Sequence, residues 1–146
     1  MKIVRYSMDE VYDSKEIYDQ IKELVICKDA TSVFYHETVI MKKRHNTEAL
    51  VCYENNSSKT IVGWARLVDT TTIKTHNPKL HFGVFVNPAY RKQGIASSLL
   101  NEAELIAKDK NRCLVVRPWD KASSSFFKKK HGYTLRIANG RYSRPT

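Results

Sequence analysis

The chain is short of cysteine, of acidic residues and of long apolar runs, and each shortage removes a class of protein. The three cysteines among 146 residues, Cys27, Cys52 and Cys113, are odd in number and widely separated. They match no zinc or redox spacing, so isolated, reduced thiols are expected and a disulfide scaffold is excluded. No stretch reaches the ~20 apolar residues of a membrane-spanning helix, so no membrane partner is expected. Met1-Lys2-Ile3-Val4-Arg5 lacks the apolar core of a secretory signal, and a cytoplasmic location is expected. With no internal repeat or low-complexity tract, one domain over residues 1–146 is expected, large enough to bury a core without staples.

The acidic shortage is the most informative. Fifteen Asp plus Glu against 25 Lys plus Arg leave a net charge of +10. The excess favours an anionic partner, such as nucleic acid or an acidic protein surface, and disfavours a strongly basic peptide. Simple solubility of a lysine-rich surface is the competing explanation.

What is present is organised around Phe82–Leu100. Phe82, Val84, Phe85 and Val86 form a short apolar run that reads as a buried strand. Asn87-Pro88 ends it, because proline has no N–H for a ladder and holds its predecessor extended. A helical pattern starts within Arg91-Lys92-Gln93-Gly94-Ile95-Ala96. A strand, a small-residue turn and a helix start leave backbone N–H groups unpaired at the positive end of the helix dipole. Such a site suits a phosphate.

The rest of the chain supplies elements around this stretch. Lys2–Tyr6 alternates as a strand, and Ser14 caps a helix with Ile17, Ile21, Leu24 and Val25 on one face. Thr31 or Ser32 starts a second helix, with Val33, Phe34, Ile40 and Met41 apolar and Lys42-Lys43-Arg44 at its end. Residues 48–54 and 60–68 read as a hairpin around Asn55-Asn56-Ser57-Ser58, 69–78 as a polar connection and Lys79–Val86 as the central strand. Ile95, Leu99, Ala103 and Ile106 share a helix face. Cys113–Val116 reads as a buried strand ended by Pro118. Asp120 caps a short helix holding Phe126 and Phe127, which ends in Lys128–His131 and Gly132. Residues 133–138 and 141–143 flank Asn139-Gly140, a hairpin turn.

Val86-x-Pro88-x-x-Arg91-x-x-Gly94-x-Ala96 resembles the acyl-CoA-binding signature of the GNAT superfamily of N-acetyltransferases. The element order β-α-α-β-β-β-α-β-α-β-β is similar to that family's topology over essentially the whole chain. The resemblance implies a mixed α/β fold, with a central, mostly antiparallel sheet that contains a parallel, splayed pair and is flanked by helices. It also implies acetyl-CoA as co-substrate, no metal, and transfer of an acetyl group to an amine by direct attack in a ternary complex. Monomer and homodimer are both left open.

The implied site is as follows. Backbone N–H groups from Lys92 through Gln93, Gly94, Ile95 and Ala96 to Ser97 hold the pyrophosphate, where a side chain at Gly94 would block its approach. Arg91 and Lys92 add charge. Backbone amides near Phe85 and Val86 face the thioester carbonyl, and Asn87 either assists or only shapes the turn. The proton-transfer residues depart from the family pattern. The usual glutamate position, six residues before Val86, holds Leu80. Its neighbour His81 is the candidate base, although strand alternation puts it on the other face; Glu48 and Glu54 are weaker candidates. The usual tyrosine position, counted back from Gly132-Tyr133, holds Lys128, or Phe127 if the helix is one residue longer. Lys128 is the candidate to stabilise a thiolate, with Ser123, Ser124, Ser125, Tyr142 or water as alternatives.

Cys113 reads as a core residue rather than an acyl-enzyme nucleophile. Tyr90 and Trp119 either line the acceptor site or pack, and Gly63 and Trp64 belong to the sheet. Two rival functions stay open. One is a catalytically silent acyl-CoA-binding interaction module, motivated by the missing glutamate and tyrosine. The other is an acetyltransferase acting on a nucleic-acid-borne amine such as aminoacyl-tRNA, motivated by the net charge. Otherwise the acceptor is an amine on a small molecule or protein.

Overall fold

Strand pairing organises the computed structural model, whose described residues are 1–26, 33–70, 79–116, 126–130, 134–136 and 141–143. β1 (Lys2–Ser7), β2 (Thr47–Tyr53), β3 (Ile61–Asp69) and β4 (Lys79–Val86) pair in sequence as antiparallel neighbours. β5 (Cys113–Val116) joins β4 in parallel, and β7 (Arg141–Ser143) lies between β5 and β6 (Thr134–Arg136). The sheet order is β1-β2-β3-β4-β5-β7-β6. This is the expected mixed sheet with one parallel pair.

Both faces of the central strands are apolar, because each face is covered by helices. Leu80, Phe82 and Val84 of β4 pack with Leu50, Leu67 and the buried face of α4 (Ile95–Asp109). That face carries the four residues expected, Ile95, Leu99, Ala103 and Ile106, and also Leu100 and Ala107. On the other side Phe85, Trp64, Ala49 and Val51 pack under α1 (Met8–Asp13), α2 (Lys15–Ile26) and Phe34 of α3. Here α3 is Val33–Tyr35 running into a widened, π-helical turn at His36–Ile40. Trp64 and Phe85, directly opposite across β3 and β4, stack with centroids 5.5 Å apart.

Two local elements differ from expectation. Met8–Asp13 forms a helix that the alternating reading of the N-terminus did not include. Ser7 and Glu10 cap it reciprocally: Ser7 Oγ accepts from the Glu10 N–H, and the Glu10 carboxylate accepts from the Ser7 N–H. Met8 and Val11 of this helix are fully buried. In α3, Ile40 and Met41 are each 60% exposed rather than on a buried face. The Met41 N–H reaches back five residues to His36 O at 2.8 Å, and this wider turn sends Phe34 and Thr38 inward in their place. The basic run after it is tied down: Arg44 pairs with Asp9 at 2.9 Å and lies over the Tyr12 ring, and Lys42 lies over Tyr18. The expected start of α3 at Thr31 or Ser32, the Asp120 cap, Gly132 and the Asn139-Gly140 turn fall outside the described residues.

One feature of the sheet positions the site. The β4–β5 ladder runs from Lys79↔Cys113 to Phe82↔Val116 and stops. β4 continues through Val86 paired only to β3 among the described residues. Among the described residues the β5-facing edge of Gly83–Val86 has no strand partner, which agrees with the splay expected of the parallel pair.

Candidate active site

The loop after β4 is built by local hydrogen bonds. Asn87 Oδ1 accepts from the Ala89 N–H at 3.0 Å and starts a single 3-10 turn at Pro88–Tyr90. The Asn87 N–H donates to Val62 O on β3 at 2.9 Å. Asn87 thus shapes the turn. Strand alternation puts the Phe85 N–H on the same, β3-facing side and turns the Val84 and Val86 N–H groups toward the open edge.

Beyond the turn the backbone twice enters the left-handed region, at Lys92 (φ 63) and Gly94 (φ 80). A left-handed residue other than glycine costs of the order of 1 kcal/mol. The first helical bond of α4 is Ser98 N–H to Gly94 O at 2.9 Å. Among the described residues, nothing accepts from the N–H groups of Lys92, Gln93, Gly94, Ile95 and Ala96. Arg91, Lys92, Gln93 and Gly94 are exposed, and a Cβ built on Gly94 has no atom within 4 Å. Five unpaired donors and two basic side chains thus surround open space at the N-terminus of a 15-residue helix. This fits a pyrophosphate. Two contacts fix the loop. Ile95 packs down on the sheet at Gly63, where a Cβ would come within 2.9 Å of its side chain. Tyr90 donates its hydroxyl to Glu54 at 2.7 Å, so both Tyr90 and Glu54 hold the loop to the end of β2.

On the opposite face, beside the start of the splay, β3, β4 and α3 enclose a pocket. Its polar lining is Glu37, Lys43, Arg66, Thr70 and His81; Phe34, Val68 and Gly83 are part of its wall. The cross-strand pairs Arg66↔Gly83 and Val68↔His81 form its floor. A Cβ on Gly83 would lie 2.4 Å from the Phe34 ring, so the missing side chain is what lets Phe34 rest on the sheet. The Arg66 guanidinium lies 5.0 Å from that ring centroid and pairs with Glu37 at 2.8 Å.

The two candidate proton-transfer residues are not brought together. Leu80 is buried against α4 and His81 faces the pocket, as alternation requires. Lys128 is exposed on the π-helical turn Phe126–Lys130, beside Phe127, whose ring packs edge-on to Phe82 on the α4 face. Glu48 is engaged elsewhere: it binds both Arg5 and Lys110, which hold its carboxyl below the ordinary range, the Arg5 hydrogen bond most strongly. Cys113 is half-buried at the start of β5. Tyr142 lies on β7 opposite Val116, and Trp119 and Ser123–Ser125 are outside the described residues. Glu37 and Arg66 went unnoticed in the sequence. An arginine in the otherwise uncharged run Ile61–Val68 was the available signal.

The comparisons agree with this geometry. The profile of the acetyltransferase (GNAT) family matches residues 9–133. The chain belongs to that family, and acetyl transfer is the activity the family defines. A GNAT-family acetyltransferase of Staphylococcus aureus Mu50 superposes with a TM-score of 0.69 at 17% identity, covering 98% of this chain and 97% of that one. The NatC complex bound to Gag peptide and CoA gives 0.63 at 15% identity, covering 100% and 99%. An aminoglycoside 6'-N-acetyltransferase of Acinetobacter haemolyticus gives 0.64 at 19%, covering 92% and 91%. At these identities the likeness is one of fold. No curated protein matches the chain in sequence. Among the described residues no helix is long and apolar enough to cross a membrane, and no cluster of His, Cys, Asp or Glu could hold a metal.

Proposed function

We propose that the chain is a single-domain, cytoplasmic N-acetyltransferase that moves an acetyl group from acetyl-CoA to an amine in a ternary complex. The observation that carries this reading is the pairing of an open β4 edge at Gly83–Val86 with a run of unpaired N–H groups from Lys92 to Ala96. The N–H row, with Arg91 and Lys92, holds the pyrophosphate. The open edge pairs with the pantetheine arm and directs the Val86 N–H at the thioester oxygen, so that Phe85 contributes through its strand rather than through its own N–H. CoA in the similarly folded NatC complex supports the choice of cofactor.

The acetyl carbon is then presented toward the opposite face, where His81 lines a pocket. His81 takes a proton from the ammonium, directly or through water. The freed amine forms the new N–C bond as the C–S bond breaks; the second proton shed by the nitrogen passes through solvent to the leaving thiolate, which the cation Lys128 or solvent neutralises. A thiolate is a fair leaving group, so the missing tyrosine slows the reaction without forbidding it.

The test is a CoA-release assay over small amines, peptides and charged tRNA, alongside calorimetric binding of acetyl-CoA. Release with at least one amine, and loss of both binding and release in Gly94→Asp, is the expected result. Binding without release across the panel would establish the silent module instead. Release confined to charged tRNA, with salt-sensitive RNA binding, would identify a nucleic-acid-borne acceptor. Unchanged binding in Gly94→Asp would refute the loop assignment.

A further inference from the structure

The pocket on the α3 face has a charge pattern that selects among amines. Among the described residues its lining has one carboxylate, Glu37, and two permanent cations, Arg66 and Lys43. The Arg66 side chain is only 7% exposed and that of Glu37 23%, so the ion pair is largely withdrawn from water. A pair this buried repays its desolvation poorly unless further partners complete it. Among the described residues Arg66 is the partner of the Glu37 carboxylate, and it engages Oε2. Among the described residues nothing engages the other oxygen, and Glu37 lines the pocket.

Local contacts hold the lining of the site in place. Glu37 sits on the π-helical turn, and its backbone O accepts from the Lys43 N–H at 2.8 Å, which fixes the basic rim against the carboxylate. Phe34 is pinned between Gly83, Phe85 and the guanidinium. It gives the pocket an apolar wall suited to a methylene arm. Among the described residues the Lys43 ammonium has no ion-pair partner.

We propose that Glu37 docks the acceptor ammonium and that Arg66 and Lys43 exclude polycations. The acceptor is then a monocationic alkylamine whose remaining polar groups are neutral or anionic. The carboxylate offers one attractive site. Among the described lining residues a second ammonium on the same ligand finds only like charge, while an anionic group finds Lys43. Arg66 acts as a positioning residue, by orienting Glu37. The inference rests on the acetyltransfer reading for its meaning, but its test needs no turnover.

The test follows the ring resonances of the histidines by NMR, with His81 assigned by its loss in His81→Gln, during titration in the absence of acetyl-CoA. The probes are n-butylammonium, n-butanol, 6-aminohexanoate and spermidine. Butylammonium and 6-aminohexanoate should shift the His81 signal saturably, the latter at equal or lower concentration. Butanol should not, and spermidine should need at least tenfold more. Glu37→Gln should weaken butylammonium at least tenfold, measured below that variant's own melting transition, which falls because the buried Arg66 loses its ion pair with Glu37. Lys43→Gln, at the half-buried rim, should narrow the gap between spermidine and butylammonium. An unshifted His81 signal, an unaffected Glu37→Gln or spermidine binding as tightly as butylammonium overturns the inference. Failure here with amine-dependent CoA release intact removes only the acceptor assignment. Success here with no release in any assay removes only the acetyltransfer reading.

Discussion

Gly94→Ala separates a strained loop from a loop shaped by its ligand. Gly94 has φ 80 and ψ 10 at the start of α4, and a Cβ there meets nothing within 4 Å. The substitution therefore creates no clash in the free protein. Its cost is the left-handed conformation, ~1–2 kcal/mol for a residue with a Cβ. The lower entropy of the unfolded alanine chain offsets part of this, about 0.4–1 kcal/mol. A net loss of roughly 1 kcal/mol lowers the melting temperature by about 2–5 °C for a domain of this size. The strain is the same with and without ligand, so it cancels in a binding constant. Any loss of acetyl-CoA affinity then reads contact between the new methyl and the ligand. If the pyrophosphate fills the open space, affinity falls tenfold or more, at least about 1.4 kcal/mol. Thermal melting by circular dichroism gives the first quantity and titration calorimetry the second. A normal drop in melting temperature with unchanged acetyl-CoA affinity would show that the cradle is not where the phosphates sit. An unchanged melting temperature would refute the left-handed glycine.

Three further outcomes follow from the packing and the titrations. Gly83→Ala places a methyl 2.4 Å from the Phe34 ring, so stability should fall by ~1–3 kcal/mol as for other overpacked cores, and denaturant melts will read it. Arg5 and Lys110 lower the Glu48 carboxyl from its ordinary value of 4.5. Its contribution to stability is therefore complete above that pH and lost as pH falls below it. Glu48→Gln should flatten the acid limb of melting temperature against pH, by well under 1 kcal/mol for so accessible a pair. Burial pushes the Tyr12 hydroxyl, which donates to Thr38 O at 2.8 Å, up to about 12. Its contribution is present below pH 10 and lost as pH rises toward 12, and Tyr12→Phe should lessen alkaline destabilisation; an unchanged alkaline limb would contradict the burial of that hydroxyl.

The second half of the chain was legible because its signals are local. Val86-Asn87-Pro88, the glycine at 94 and the helix face from Ile95 to Ile106 each act within a few residues of themselves, and they appear where expected. The Asn87 cap and the left-handed Gly94 are the physical content of the motif. The first half was less legible for two reasons. The Ser7–Glu10 capping box was present in the sequence, but the alternating strand before it masked the helix that it starts. The wide turn at His36–Ile40 was not encoded in any periodicity, and it moved Ile40 and Met41 outward. The pocket proposed for the acceptor was hidden for a further reason. Glu37, Arg66 and His81 come from three separate elements, and only the β3–β4 register and the bare backbone at Gly83 join them. Leu80 and Lys128 directed attention to the family's usual positions; here Leu80 packs in the α4-side core, away from that pocket, and Lys128 is exposed on the turn beside Phe127.

The central claim is direct transfer from a CoA thioester to an amine, with the enzyme holding both. It is tested by incubating the protein with acetyl-CoA, with and without an acceptor from the amine panel, and weighing both protein and acceptor by mass spectrometry as free CoA is measured. The account predicts CoA release only with the amine, one acetyl group added per CoA released, and an unmodified protein mass throughout. An acetylated protein formed without the amine and chased by it, or no release with any amine, would contradict it.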